Sequence, residues 1–165
     1  MGSIESAFRF ESYKIDHVLF QMKRIIQLLE TTGNIDPKAW KFSVSIGKPI
    51  YSKSHKKYIS ILRAGLLLMP DTQESEQIKE EEVEPLVTCE VNISGLFSVE
   101  EGRLDKEIEL NILKIQLPSL LLPYARSAIT SILANAGFGS VILPLVNMHE
   151  VAKRCKDELE VHEID

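Results

Sequence analysis

Four histidines, two cysteines and a scatter of carboxylates are the residues of this chain whose chemistry could make or break bonds, and their spacing forms none of the usual arrangements. His17, His55, His149 and His162 stand far apart with no nucleophile pattern beside them, and no GxSxG, HExxH, P-loop or GxGxxG run occurs. Cys89 and Cys155 have no second thiol or histidine at metal-ligand spacing, which argues against a zinc site or a redox CxxC pair. Glu90 alternates with Cys89 and Val91 and faces away from them, as a solvated carboxylate does, rather than as a general base. The sequence therefore predicts no catalytic residue, no metal site and no cofactor.

What the chain does offer is adhesion. Residues 117–147, LPSLLLPYARSAITSILANAGFGSVILPLVN, carry a single charge, Arg126, in a chain with 19 Lys and Arg and 24 Asp and Glu. Apolar surface left in water costs about 25 cal/mol per Å². Such a block must become core, an oligomer interface, a membrane segment or a surface that holds apolar ligands. Residues 127–149 hold no formal charge and match the ~20 residues of a spanning helix. Asn135, Gly137, Gly139, Pro144 and Asn147 interrupt them, however, so no stable membrane insertion is expected. The formal charge of −5 argues against nucleic acid, which selects clustered Lys and Arg, and suits a cationic or unfolded polypeptide better.

The 165 residues fit a single domain whose composition, 44% hydrophobic and 26% charged, is that of a globular protein stable without disulfides or metal. The start, MGSIESAFRF, lacks the basic onset and apolar run of a signal peptide, so a cytoplasmic location is expected.

Strand-like segments come first and helix-like segments last, which predicts an α+β fold. Residues 40–46 alternate completely, with Trp40, Phe42, Val44 and Ile46 on one face. Residues 8–20 alternate with a phase slip of the kind a bulge produces. Segments 58–69 and 86–99 complete four antiparallel strands. A short helix is expected within 22–35, with Ile25, Ile26, Leu28 and Leu29 inward and Gly33 ending it. The acidic run between Pro70 and Pro85 reads as a solvated hairpin loop. Residues 100–116 place Leu104, Ile108, Ile112 and Ile115 at helical spacing, although alternation through Leu110 fits a strand equally well. Pro123 suits the first turn of a long helix ended by Gly137. Asn147 and Glu150 form a capping box for a terminal helix, and residues 158–165 are expected as a loose acidic tail.

Leu122 to Arg126 (LPYAR), Gly137 with Phe138, and Leu143 to Asn147 (LPLVN) resemble, in order and on the expected elements, the C-terminal half of the SecB export-chaperone family. CEVNISGLF, from Cys89 to Phe97, is similar to the family's Cys-Glu-Val and Gly-Ile/Leu-Phe runs, and Trp40 falls where the family opens its second strand. The resemblance implies a four-stranded antiparallel sheet with a long helix and a shorter C-terminal helix, assembled as a homotetramer, a dimer of dimers. It implies a holdase that keeps unfolded preproteins export-competent, passes them to the motor ATPase SecA, and hydrolyses nothing. Carried over by position, the client groove would use Val44, Ile46, Leu120, Leu121 and Met148, with core or interface packing as the alternative role; Tyr124 and Arg126 would set the helix start. Glu90 matches an acidic position that contacts SecA, whereas His17 and Gln21 stand where acidic residues are expected and Thr88 where a Leu is. Those departures leave open a second reading, a divergent chaperone dedicated to one client such as an antitoxin.

Overall fold

The alternating segments of the first hundred residues each become a strand, because a period of two buries one face of an extended chain. The computed structural model describes residues 6–33, 39–70, 83–102, 104–155 and 160–165. β1 (Phe8–Met22) pairs antiparallel with β5 (Val87–Val99), which pairs antiparallel with β4 (Lys57–Leu68). The other edge of β4 is shared between β2 (Trp40–Ile46), on its C-terminal half, and the short β3 (Ile50–Ser52), at its start. Gly47 and Pro49 lie between the two: the Gly47 N–H still reaches the Ile61 carbonyl at 2.9 Å, whereas Pro49 has no N–H to give. A side chain at Gly47 would stand 2.8 Å from Ile61 Cγ2, so only glycine lets the strand pass there.

The four expected strands are present, but among the described residues the sheet has six, in the order β1-β5-β4-β3-β6, with β2 also on β4. β6 (His162–Ile164) lies parallel on β3, which corrects both the all-antiparallel expectation and the loose tail expected at this end. Three residues are too few to show a period, and all three side chains of β6 are exposed, so no apolar pattern marked it in the sequence.

One rod of helix crosses the sheet. α2 (Lys106–Asn111) continues through a π-helical turn (Ile112–Gln116) into α3 (Leu117–Asn135). The long helix does not begin at Pro123 as expected; that proline lies inside it, and Pro118 occupies its first turn. In the π turn the Leu117 N–H reaches back to the Ile112 carbonyl, and just beyond Pro118, which has no N–H to give, the Ser119 hydroxyl donates to the Ile115 carbonyl. Leu117, Leu121, Ala125, Ile129 and Leu133 recur every fourth residue and are buried against β4 and β5. That stripe continues back to Leu113, so the stripe expected through Leu104 and Ile108 is not the buried one, and Ile108 is exposed. At the other end Gly137 (φ +95°) closes a Schellman turn: its N–H reaches the Ala134 carbonyl at 3.2 Å and that of Phe138 reaches Leu133 at 3.0 Å.

The first helix is shorter than expected. α1 (Ile26–Thr31) buries Ile26 fully, while Ile25 and Leu28 face solvent and Met22 belongs to β1. α4 (Met148–Arg154) begins as the capping pattern requires, with Asn147 Oδ1 accepting from the N–H groups of His149 at 3.1 Å and Glu150 at 3.4 Å. Residues 71–82 of the expected acidic loop lie outside the described residues. No helix among the described residues is long and apolar enough to cross a membrane.

Candidate functional site

α3 sits over β4 and β5, and β1 carries the inner face of the sheet beyond the helix. Two bulges, between Phe10 and Ser12 and between Ile15 and His17, absorb the phase slip in β1 and keep Phe10, Tyr13, Ile15 and Val18 on that inner face, opposite Phe97, Gly95, Ile93 and Val91. Tyr124 of α3 closes the near side, stacked on Tyr13 at 4.2 Å between ring centres and 5.9 Å from Phe10. Leu120, one turn earlier, is exposed beside it. The result is an apolar trough whose strand side stays partly in water: Phe10 and Tyr13 are each 39% exposed, Ile15 45% and Val18 50%. Its chemistry is adhesion to other apolar surface.

A second apolar element follows α3. Phe138 is buried edge-on against Trp40, with ring centres 5.6 Å apart, and with Gly139, Ser140, Val141 and Glu30 it lines a cleft of about 370 Å³. Arg126 fixes the chain beyond: its guanidinium donates to the carbonyls of Pro144 at 2.6 Å and Leu143 at 2.7 Å. It lies 6.0 Å from the ring centre of Phe42. The one charge of the apolar block thus anchors the crossing between α3 and α4, not the start of α3. Leu143 packs inward, and on either side of it Ile142 and Leu145 are 92% and 96% exposed, two aliphatic side chains held in water by a fixed backbone.

The five positions named from the sequence do not converge. Leu120 is exposed beside the trough, and Val44 is half-buried on β2 opposite Ala64. Ile46 is buried opposite Leu62, Leu121 lies against Gly95, and Met148 is buried at the start of α4, so these three pack the core of this chain. Phe10, Tyr13, Ile15, Val18, Ile142 and Leu145 went unnamed, because composition marks a residue as apolar without saying whether anything covers it. Glu90 lies on the opposite, outer face of the sheet between Leu19 and Gly65, exposed as expected. His17 and Gln21 neighbour it there, opposite Asn92 and Thr88.

Neither buried polar group nearby is poised to react. Cys89 sits on the inner face between Phe20 and Leu66, where burial, with a smaller push from Glu90, raises its thiol to about 11. Such a thiol packs as a small apolar group. Tyr58 donates from its hydroxyl to Glu109 Oε1 at 2.7 Å, and burial together with that carboxylate holds its phenol well above the usual tyrosine range. It stands under a cleft of about 360 Å³ that also includes Tyr51, Leu110, Leu113 and Val161.

Comparison with known proteins agrees with this geometry. The family described as "Preprotein translocase subunit SecB" matches residues 72–157, more than half of the chain. A protein-export protein SecB of Anaplasma phagocytophilum (strain HZ) is 34% identical over 64 residues, 38% of this chain and 40% of that one, so the chain spans less than half of that relative's length. An uncharacterized protein of Methanocaldococcus jannaschii is 28% identical over 144 residues, 86% of this chain and 80% of its own. Among solved structures, a Mycobacterium tuberculosis SecB-like chaperone, in complex with a peptide from an antitoxin, superposes with a TM-score of 0.57. It covers 86% of this chain and 91% of its own at 10% identity, which is a likeness of fold.

Proposed function

The chain belongs to the SecB family, and from that premise we propose that it is a cytoplasmic holdase, a chaperone that binds non-native polypeptides through apolar surface and keeps preproteins competent for export. The observation that carries this reading is the pair Ile142 and Leu145, almost wholly in water on either side of the Leu143 and Pro144 carbonyls that Arg126 binds. Core packing accounts for neither, and a folded protein that keeps two bare aliphatic side chains on a fixed loop has a use for them. Ile142 follows Val141, which lines the Trp40 and Phe138 cleft, and that cleft supplies aromatic walls of the kind that accept varied apolar side chains. Val44 and Leu120 add contact area, while Ile46, Leu121 and Met148 hold the elements beneath. No step in this reading makes or breaks a covalent bond.

The trough of Phe10, Tyr13, Ile15, Val18 and Tyr124 suits a different occupant, a second copy of the chain. Covering it would bury the exposed face of β1 and assemble the homotetramer the family resemblance implies. SecA would be met on the outer sheet face through Glu90.

A second reading, a chaperone dedicated to one client such as an antitoxin, is favoured by that same outer face, where His17 and Gln21 stand in place of the acidic residues that the family resemblance implies. The fold likeness to a chaperone solved with an antitoxin peptide supports it as well. Dilution of a urea-denatured preprotein into the purified protein separates the readings. General holding predicts that aggregation is suppressed at stoichiometric protein and that suppression falls at least severalfold in Ile142→Ser/Leu145→Ser. Capture of one small partner, with unrelated preproteins left to precipitate, would establish the dedicated role instead.

A further inference from the structure

β6 is one of the two strands, with β3, that the sequence did not announce, and what it rests on points to a binding site. The outer edge of β3 would otherwise present its N–H and C=O groups to water, and an open strand edge is a template for any extended chain. The chain's own end fills it: the His162 N–H reaches the Pro49 carbonyl at 2.8 Å and the Lys53 N–H reaches Ile164 at 3.4 Å. Side chains set the register. Lys53 pairs with Glu163 at 2.6 Å, while the hydroxyls of Ser52 and Ser54 donate to the Asp165 carboxylate and His55 lies 3.9 Å from it. Val161 is half-buried at the mouth of the cleft formed by Tyr51, Tyr58, Leu110 and Leu113.

The attachment is specific in chemistry and weak in strength. It is three residues long, all three side chains are exposed, and the Lys53–Glu163 pair is 57% exposed on both sides, where an ion pair contributes little. A short parallel strand with no buried side chain is readily exchanged. The pattern that β6 presents, apolar at 161 and acidic at 163 and 165, is matched by a cleft and by Lys53, Ser54 and His55 of the basic turn that follows β3, whose Lys56 and Lys57 pair instead with Glu101 and Glu11.

We infer that the edge of β3 is a strand-addition site for an extended peptide of apolar and acidic residues, and that β6 is its resident occupant, which such a peptide displaces. Main-chain pairing supplies affinity, and the basic turn with the Tyr51 and Tyr58 cleft supplies selectivity. That the displacing peptide comes from a captured client rests on the holdase reading; the site itself does not.

The test uses a fluorescein-labelled peptide with the sequence of residues 160–165, EVHEID, and fluorescence anisotropy. Its targets are the full chain, a His162→Pro chain that lacks the N–H bonded to Pro49, and a chain ending at residue 160. A site occupied most of the time loses apparent affinity in proportion, so both altered chains should bind the peptide about tenfold or more tighter than the full chain. A peptide with lysine at the two acidic positions matching Glu163 and Asp165 should lose that gain. Equal binding by all three chains would overturn the inference, as would equal binding of the lysine peptide. A lower oligomer mass for the His162→Pro chain would also overturn it, since β6 would then be exchanged between copies. Suppression of preprotein aggregation by the full chain reports on the holdase reading separately. If the full chain holds no preprotein but the altered chains gain peptide affinity, the site stands and the holdase reading falls; the reverse pattern removes the site alone.

Discussion

Gly95 shows how a single missing atom positions the whole helical layer. A Cβ there would stand 2.6 Å from Leu121 Cδ2 and 2.9 Å from Phe97 Cε2, and both side chains are fully buried, so neither has free space into which to move. Gly95→Ala should therefore destabilise the protein by about 1–3 kcal/mol through overpacking. Leu121→Ala should cost about 2–5 kcal/mol through the cavity it leaves. The double variant should lose clearly less than the sum, because the smaller residue at 121 makes room for the new methyl group at 95. Urea unfolding of the three variants measures this, and strict additivity would show that the two sites do not touch. Gly95 was visible in the sequence only as a residue of the SecB-like Gly-Leu-Phe run, since its role depends on which helix residue lands above it.

At the scale of elements, the crossing between α3 and α4 is held by one side chain. Its start is fixed by the Schellman turn at Gly137 and its end by the Asn147 cap, both legible from residue type. Its middle depends on Arg126, which satisfies two carbonyls that no backbone partner of a regular element is placed to satisfy. Arg126→Met keeps an unbranched apolar stem and removes both donors, together with the guanidinium that lies over Phe42. It should lower the local stability of residues 138–146 by about 1–3 kcal/mol. Amide exchange across that segment should quicken by one to two orders of magnitude. Exchange in the centre of α3 should be unchanged; slowed or unaltered exchange in the crossing would show that its conformation does not rest on Arg126. The sequence marked Arg126 as the lone charge of its block and assigned it to the helix start, because partners 17 and 18 residues away are beyond any local pattern.

For the molecule as a whole, the open question is which apolar surface remains in water after assembly. We expect the trough along β1 to be covered by a second copy and the Ile142 and Leu145 loop to stay free. Val18→Glu places a carboxylate on the half-exposed strand side of that trough without touching the buried stripe of α3. On the proposed assembly it should lower the mass measured by sedimentation towards smaller species while leaving the folded content of each chain intact. An unchanged mass would remove the trough from the interface.

The sequence by itself determined the α+β class, four of the six strands, the bulged register of β1, the Gly137 and Asn147 helix boundaries and the family, because each is written in patterns a few residues long. Tertiary structure alone decided the rest. The strand pairing of the last residues depends on a vacant edge at β3, more than a hundred positions earlier in the chain. The passage of helix through Pro118 and Pro123 depends on the sheet beneath it and on a π turn that no propensity marks. The division of one apolar block into buried Leu121, Ile129 and Leu133 and bare Ile142 and Leu145 depends on which side chains find a neighbour. Hydrophobicity is a property of a residue, but burial is a property of its surroundings, and only the folded chain supplies those.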